Sequence, residues 1–408
     1  MIAWPPIDPA GRNFRLFLGF RATTRAILFA PYIFHFMTAV RHVTVEQYGI
    51  LQAIYYITVV AAEVPSGVLA DRIGRRATLV AGALLNSAAC FVFAAAPGFW
   101  QFAAGEALFA LGTASISGAD SALLYDSLAA RQRQSEYPRA EGAAQAVWLG
   151  ATALGYPVAD LLLVRAHAGV EDPVLTYWVT GGLNLVGVAC ALAMREPPVQ
   201  RRLSTREITR GAIRDVIGIP GILRVIAYSV GVFLLLRAAV VSFFNPVLDA
   251  CFVPVDSFGL VLAATNVIGA AAVYLMPRLL RRYGERPCLV VVPLSLVLMF
   301  GLLIPLRTPP AAALFCIQGA MFGVYPVLIR TMLNRLVPSA ERRATILSIE
   351  SMVCRVAFAL AAVYAGWALG ALGLGAALGT TALVACLPFL FLPLLSRAGR
   401  ERRRPPPV

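Results

Sequence analysis

EQYGILQAIYYITVVAAEVPSGVLADRIGRR, residues 46–76, is an apolar run that closes on a short basic turn. A helix that crosses a bilayer needs about 20 mostly apolar residues, and this stretch is long enough. The same pattern returns at 256–286 as DSFGLVLAATNVIGAAAVYLMPRLLRRYGER, and the two align without gaps. Glu46 stands opposite Asp256, Tyr48 opposite Phe258, Gly49 opposite Gly259, Arg72 opposite Arg282, Gly74 opposite Gly284 and Arg76 opposite Arg286. A span followed by a basic turn, repeated far along one chain, is the mark of a duplicated membrane bundle.

Outward from these two blocks, apolar runs predict spans at 16–40, 47–69, 77–97, 99–125, 142–164, 174–194, 224–246, 257–277, 288–306, 311–333, 344–367 and 373–396. The predicted fold is an all-α membrane protein: twelve transmembrane helices in two six-helix pseudo-symmetric bundles, 1–194 and 224–396. A polar central loop over 195–223 divides them, and a basic tail covers 397–408. Composition agrees. The 408 residues are 59% hydrophobic and 14% charged, against roughly 25% charged in soluble chains.

All 35 basic residues are arginine, and the net charge is +14. A nucleic-acid partner would use such charge, but its placement says otherwise. With the N-terminus inside, the loop arginines fall on the inner side, and only Arg41, Arg165 and Arg307 fall outside. That asymmetry is the positive-inside pattern. It predicts an inner-membrane protein with both termini cytoplasmic, its basicity facing anionic lipid. The opening MIAWPPIDPAGRNFR lacks the pattern of a cleavable signal. The seven cysteines are scattered without metal-ligand spacing. No Walker loop and no nucleophile–base constellation is present, so the expectation is a non-enzyme, monomeric, without metal or cofactor.

The ten residues GVLADRIGRR (67–76) resemble the signature loop of the major facilitator superfamily, at the family's position on the inside after the second span. Gly67, Leu69, Ala70, Asp71, Arg72, Gly74, Arg75 and Arg76 carry the match. The resemblance implies a secondary transporter working by alternating access, with the first, fourth, seventh and tenth helices lining its cavity. It also implies that this loop is a conformational latch, with Asp71 pairing to Arg75 or Arg76. In the second copy Arg281 replaces Asp71 and Pro277 replaces Gly67, so the latch is asymmetric. EVPSG (63–67) and SGADSALLYDSL (117–128) resemble the drug-exporter-like branch of bacterial facilitators. Two departures stand against simple drug–proton antiport. Leu108 occupies the place of that branch's fourth-helix arginine, and GYPVAD (155–160) lacks its paired glycines.

Ionisable residues inside a span are costly and so are candidates for function. Arg21, Arg25, Tyr32 and His35 share one face of the first span, and Glu106, Thr113, Ser117 and Asp120 share one face of the fourth. At about 1.5 Å per residue, Arg21, Arg25 and Asp120 lie at comparable depths. Asp120 is expected to pair with Arg25 or Arg21, either as a proton-released switch or as a fixed ion pair that specifies packing. Glu63 is a second proton site or a backbone partner where Pro65 breaks the ladder. Glu106 is a third proton candidate, and His35 a substrate contact or a packing residue. In the second half, Arg237 offers bidentate recognition of an anion or pairs with an acid. Gln318, Tyr325 and Arg355 complete the substrate-site candidates. Arg21, Arg25, Arg237, Arg330 and Arg355 within spans balance Glu63, Glu106, Asp120, Asp160 and Glu350. That balance favours internal pairing or a zwitterionic substrate over a simple cation. The expected function is proton-coupled export of a small amphipathic or zwitterionic compound. Proton-symport uptake of a metabolite is the second reading, and a non-transporting scaffold or sensor the third.

Overall fold

A computed structural model describes residues 11–130, 132–165, 173–196, 205–337 and 340–385. The basic tail over 397–408, the last span beyond residue 385 and residues 197–204 of the central stretch lie outside the described residues. The described chain is helical, without strands. It runs as α1 (Arg12–Arg25), α2 (Val45–Ile73), α3 (Arg75–Ala95), α4 (Phe99–Ala129), α5 (Tyr137–Arg165), α6 (Val174–Ala193), α7 (Thr205–Gly218), α8 (Pro220–Arg237), α9 (Phe244–Ala250), α10 (Phe258–Tyr283), α11 (Glu285–Leu303), α12 (Phe315–Leu336) and α13 (Ala340–Ala385). Among the described residues, 9 helical stretches are long and apolar enough to cross a membrane. One of them, 345–384, holds two successive helices, because Gly373 at φ 77° interrupts α13. With α5 and the first span, the fold is the twelve-helix all-α membrane plan.

The chain divides into two compact units, Met1–Arg201 with Val255–Ala263, and Arg202–Pro254 with Ala264–Val408. In the first unit α3 packs between α4 and α6. Small residues set that approach: a Cβ on Gly112 would lie 2.2 Å from Asn86 Oδ1 and 2.6 Å from the Gly82 carbonyl. Beyond this seam sits an aromatic core, where Phe29 stacks on Tyr177 at 4.4 Å and meets Phe93 and Phe109 edge-on. In the second unit α10 and α12 meet through glycines. A Cβ on Gly319 would fall 2.1 Å from the Thr265 carbonyl, and one on Gly323 2.3 Å from that of Gly269. Between membrane helices such small residues let backbones touch, and dispersion holds them.

Two sequence expectations change. The first span, 16–40, is not one helix. α1 ends at Arg25, a 3₁₀ turn covers Ala30–Tyr32, and a π-helical turn covers Phe36–Val40. Pro31 has no N–H and disfavours helix in the residue before it, so the ladder cannot run through. The stretch 195–223 is not only loop. TREITRGAIRDVIG (205–218) forms α7, and Asp215 on it binds Arg342 of α13 at 2.8 Å.

The repeated turns agree in conformation. Gly74 and Gly284, aligned above, both take positive φ, 97° and 77°. This is the region only glycine enters without strain, and each glycine ends one helix and starts the next.

Candidate functional site

The break in the first span positions the site. Thr23 and Thr24 donate to the carbonyls of Gly19 and Phe20 at 3.0 and 2.7 Å, a pattern that bends helices. The Leu28 N–H, freed by the break, donates to Thr180 Oγ1 of α6 at 3.1 Å. In a membrane interior such a group must find a partner. Arg25 is thus the last residue of α1, where a cation suits the negative helix end.

Around it lies a buried polar cluster from α1, α4 and α5. Arg21 Nε lies 3.0 Å from Asp120 Oδ2, and Arg21 Nη2 donates to Glu141 Oε1 and Ser121 Oγ, each at 3.0 Å. Arg25 Nη2 donates to the same Asp120 oxygen at 3.3 Å. The charges cancel: two guanidiniums, two carboxylates. The two arginines differ in exposure, 5% for the Arg21 side chain and 26% for that of Arg25. Arg25 also lies over the Trp148 ring, 5.8 Å from its centre. Glu141 and Gln145, one turn apart on α5, each keep a buried oxygen with no hydrogen-bond donor among the described residues.

Other candidates fall elsewhere. Tyr32 is fully buried and donates to Asp160, which also accepts from the N–H groups of Gly259 and Leu260 at 2.9 and 2.7 Å. Ser117 bonds to its own helix, at the Ala114 carbonyl. Glu106 is buried and accepts from Gln52 Nε2 at 3.2 Å. Its position on α4 is about 21 Å from Asp120 by helical rise. His35 and Glu63 are half-buried and apart from the cluster.

The 67–76 loop is built on Arg75. Its side chain is buried, with Asp126 of α4 at 2.8 Å and Asp71 at 4.0 Å, while Asp71 itself is 66% exposed. Glu196 accepts from the backbone N–H groups of both Arg75 and Arg76 at 2.8 Å, satisfying the first donors of α3.

In the second unit a π-helical turn, Ala238–Ser242, follows directly on Arg237. Such turns free a backbone carbonyl and cluster at functional sites. Gln318 Nε2 answers it, donating to the Leu236 carbonyl at 3.3 Å. Arg237 lies between the rings of Phe233 and Phe322, 5.5 Å from each centre. It forms no ion pair among the described residues. Each unit's first span therefore carries an arginine at the end of an α-helical segment, laid against aromatic rings, with a break after Arg25 and a π-turn after Arg237. Tyr325 is buried, with its hydroxyl against Ser229 and Glu350. Arg355, next to Cys354 on α13, is half-buried.

Sequence reasoning did not single out Glu141, Glu196, Asp126 or Ser229. Glu141 had a signal: it precedes Gln145 and Trp148 on one helical face. The others lie in loops, on helix ends or alone in apolar runs.

A model of the Major Facilitator Superfamily matches residues 16–313. Solved structures are similar over almost the whole chain. The nucleoside transporter NupG matches with a TM-score of 0.77 at 13% identity, covering 95% of this chain and 99% of its own. A bacterial homolog of the human lysosomal transporter Spinster, inward-facing and unoccupied, gives 0.73 at 15% identity and 98% of both chains. An auto-inhibited POT family peptide transporter gives 0.67 at 16% identity, covering 97% and 99%. No curated protein matches in sequence.

Proposed function

The chain belongs to the Major Facilitator Superfamily, and from that premise we propose that it is a proton-coupled exporter of a small amphipathic or zwitterionic compound. It works by alternating access as a monomer in the inner membrane, with both termini cytoplasmic. The observation that carries this reading is the Arg25–Asp120 contact. At 3.3 Å it is the longest ion pair of the cluster, and it involves the more exposed arginine. Arg21 remains bound to Asp120 and Glu141 when this outer pair opens.

A zwitterion can insert there by exchanging partners. Its anionic group takes the guanidinium of Arg25, and its ammonium takes Asp120. The unpartnered oxygens of Glu141 and Gln145 supply further acceptors on the same side. Charge stays balanced through the exchange, so no bare ion is left in the apolar interior. A proton on Asp120 removes the acceptor that the ammonium needs. Proton and substrate then exclude one another, which is the differential binding that antiport requires. In the second unit Arg237, laid between two rings and without an ion pair among the described residues, is by itself a candidate contact for an anionic or aromatic group.

The test is flux in proteoliposomes under imposed pH gradients of either sign, with anionic, zwitterionic and cationic compounds. The expected result is movement of a zwitterion against the proton flow. Co-directional movement with protons would instead establish uptake by symport, and flux indifferent to the gradient would remove the proton from the mechanism.

A further inference from the structure

The second unit holds a carboxyl group whose surroundings are unlike those of Asp120. Glu350 on α13 lies inside the apolar stretch 345–384. Three neutral groups converge on one of its oxygens. The Ser229 hydroxyl donates to Oε1, the Tyr325 hydroxyl donates to it at 3.1 Å, and the Cys354 thiol at 3.4 Å. The Ser229 and Tyr325 hydroxyls are themselves 2.5 Å apart. Ser229, Tyr325 and Cys354 are buried, whereas Glu350 is half-buried and so remains reachable. Among the described residues Glu350 forms no ion pair.

We propose that Glu350 is a second proton-binding site of the transport cycle, cradled by Ser229, Tyr325 and Cys354. The inference rests on the proton-coupled reading above and extends it to two protons per substrate. A carboxylate in a membrane interior needs a counter-ion or a proton, and here no cation among the described residues is in contact. Hydroxyl groups both donate and accept, so the cradle is satisfied whether Glu350 carries a proton or not. A permanently ionised carboxylate would be better served by a guanidinium than by three neutral donors.

Several charged groups on the packed elements are engaged elsewhere. From α8, Arg237 lies between Phe233 and Phe322. From α12, Arg330 is exposed, and Arg335 lies 2.5 Å from Glu285 of α11. From α7, Asp215 holds Arg342. Tyr228 of α8 donates to the Leu289 carbonyl, and the π-turn 238–242 has no ionisable side chain. On α13 itself Arg355 follows Cys354, one residue round the helix from the cradle.

Two measurements on the full-length protein test this. The first is the infrared carbonyl stretch of protonated carboxyl groups, followed against pH in lipid without any substrate. Wild type is expected to show a titrating band that E350Q lacks and that S229A and Y325F each shift, since both touch Oε1. Identical titrations in wild type and E350Q would overturn the proposal and leave Glu350 a permanent hydrogen-bond acceptor. The second is the substrate gradient at zero net flux, with the membrane potential clamped at zero. Each exchanged proton supports about a tenfold substrate ratio per pH unit. Wild type is expected to hold about a hundredfold ratio and E350Q about tenfold. A wild-type ratio retained in E350Q would overturn the coupling role. Should E350Q fold poorly, Y325F and S229A still decide the question through the shifted band. If wild type ignores the pH gradient altogether, the exporter reading fails, while the infrared band still reports on Glu350.

Discussion

Arg21 and Arg25 lie on one helical face and bind the same carboxylate oxygen, yet their removal should have opposite consequences. In Arg25→Gln, Asp120 keeps Arg21 at 3.0 Å. The lost pair is a 3.3 Å contact from a side chain 26% exposed. Such partly solvated pairs contribute about 0–1 kcal/mol, and the contact with Trp148 adds about 0.5–1 kcal/mol. The folded protein should therefore lose little. Its substrate, however, loses a charge-assisted hydrogen bond of about 1.5–3 kcal/mol, which raises the half-saturating concentration about ten- to a hundredfold. In Arg21→Gln, Glu141 keeps only Ser121 among the described residues, and Asp120 keeps the Ser121 N–H but, of its two arginines, only the looser Arg25. Removing one partner from a buried pair costs about 3–5 kcal/mol, so this variant should be recovered in low yield or melt well below wild type. The assay is thermal unfolding of both variants in one detergent, with transport titrated against substrate. Equal loss of thermal stability in the two variants would refute the division of labour. So would an Arg25→Gln protein with an unchanged half-saturating concentration.

Three further outcomes follow from single contacts. Thr180→Val strands the Leu28 N–H at the break in the first span, and an unmet buried donor costs about 1–3 kcal/mol; the melting temperature should fall, and Thr180→Ser should restore it. Gly319→Ala places a Cβ 2.1 Å from the Thr265 carbonyl, and overpacking of this kind costs about 1–3 kcal/mol; monodisperse yield should drop, whereas Gly301→Ala, with nothing within 4 Å, should leave it unchanged. Glu106→Gln keeps a hydrogen-bonding partner for Gln52 at a point about 21 Å along α4 from Asp120; the substrate ratio held by a pH gradient should be unaltered, and a collapse of that ratio would move the proton site to Glu106.

What could be read before any coordinates divides along a physical line. Hydropathy is a property summed over about 20 residues, so twelve spans emerge from the sequence even where a helix is interrupted. Pro31 marks the interruption of the first span, but the irregular stretch over 26–40 is itself apolar and does not lower the mean hydropathy enough to show it. The paired glycines 74 and 284 were also visible, because positive φ at a helix junction demands that residue. α7 was hidden by the opposite effect. TREITRGAIRDVIG is amphipathic rather than apolar, and it lies among prolines and arginines that read as loop. The site is a different kind of problem. Arg21, Arg25 and Asp120 could be placed at one depth, since depth follows from residue count along each helix. Which groups meet at that depth depends on the rotation of each helix about its axis, which packing seams such as Gly82 against Gly112 determine. Glu141 joins the cluster through that rotation, and Ser229 reaches Glu350 by the same means. A lone serine in IAYSVGVFLLL carries no mark that distinguishes it from the apolar residues around it. Charged residues in a span announce themselves by their cost, while neutral hydroxyls that fit a carboxyl of either charge state do not. The second unit's acid–hydroxyl cluster is therefore visible only once α8, α12 and α13 are packed together, although every one of its residues lies in a span that the sequence already marks.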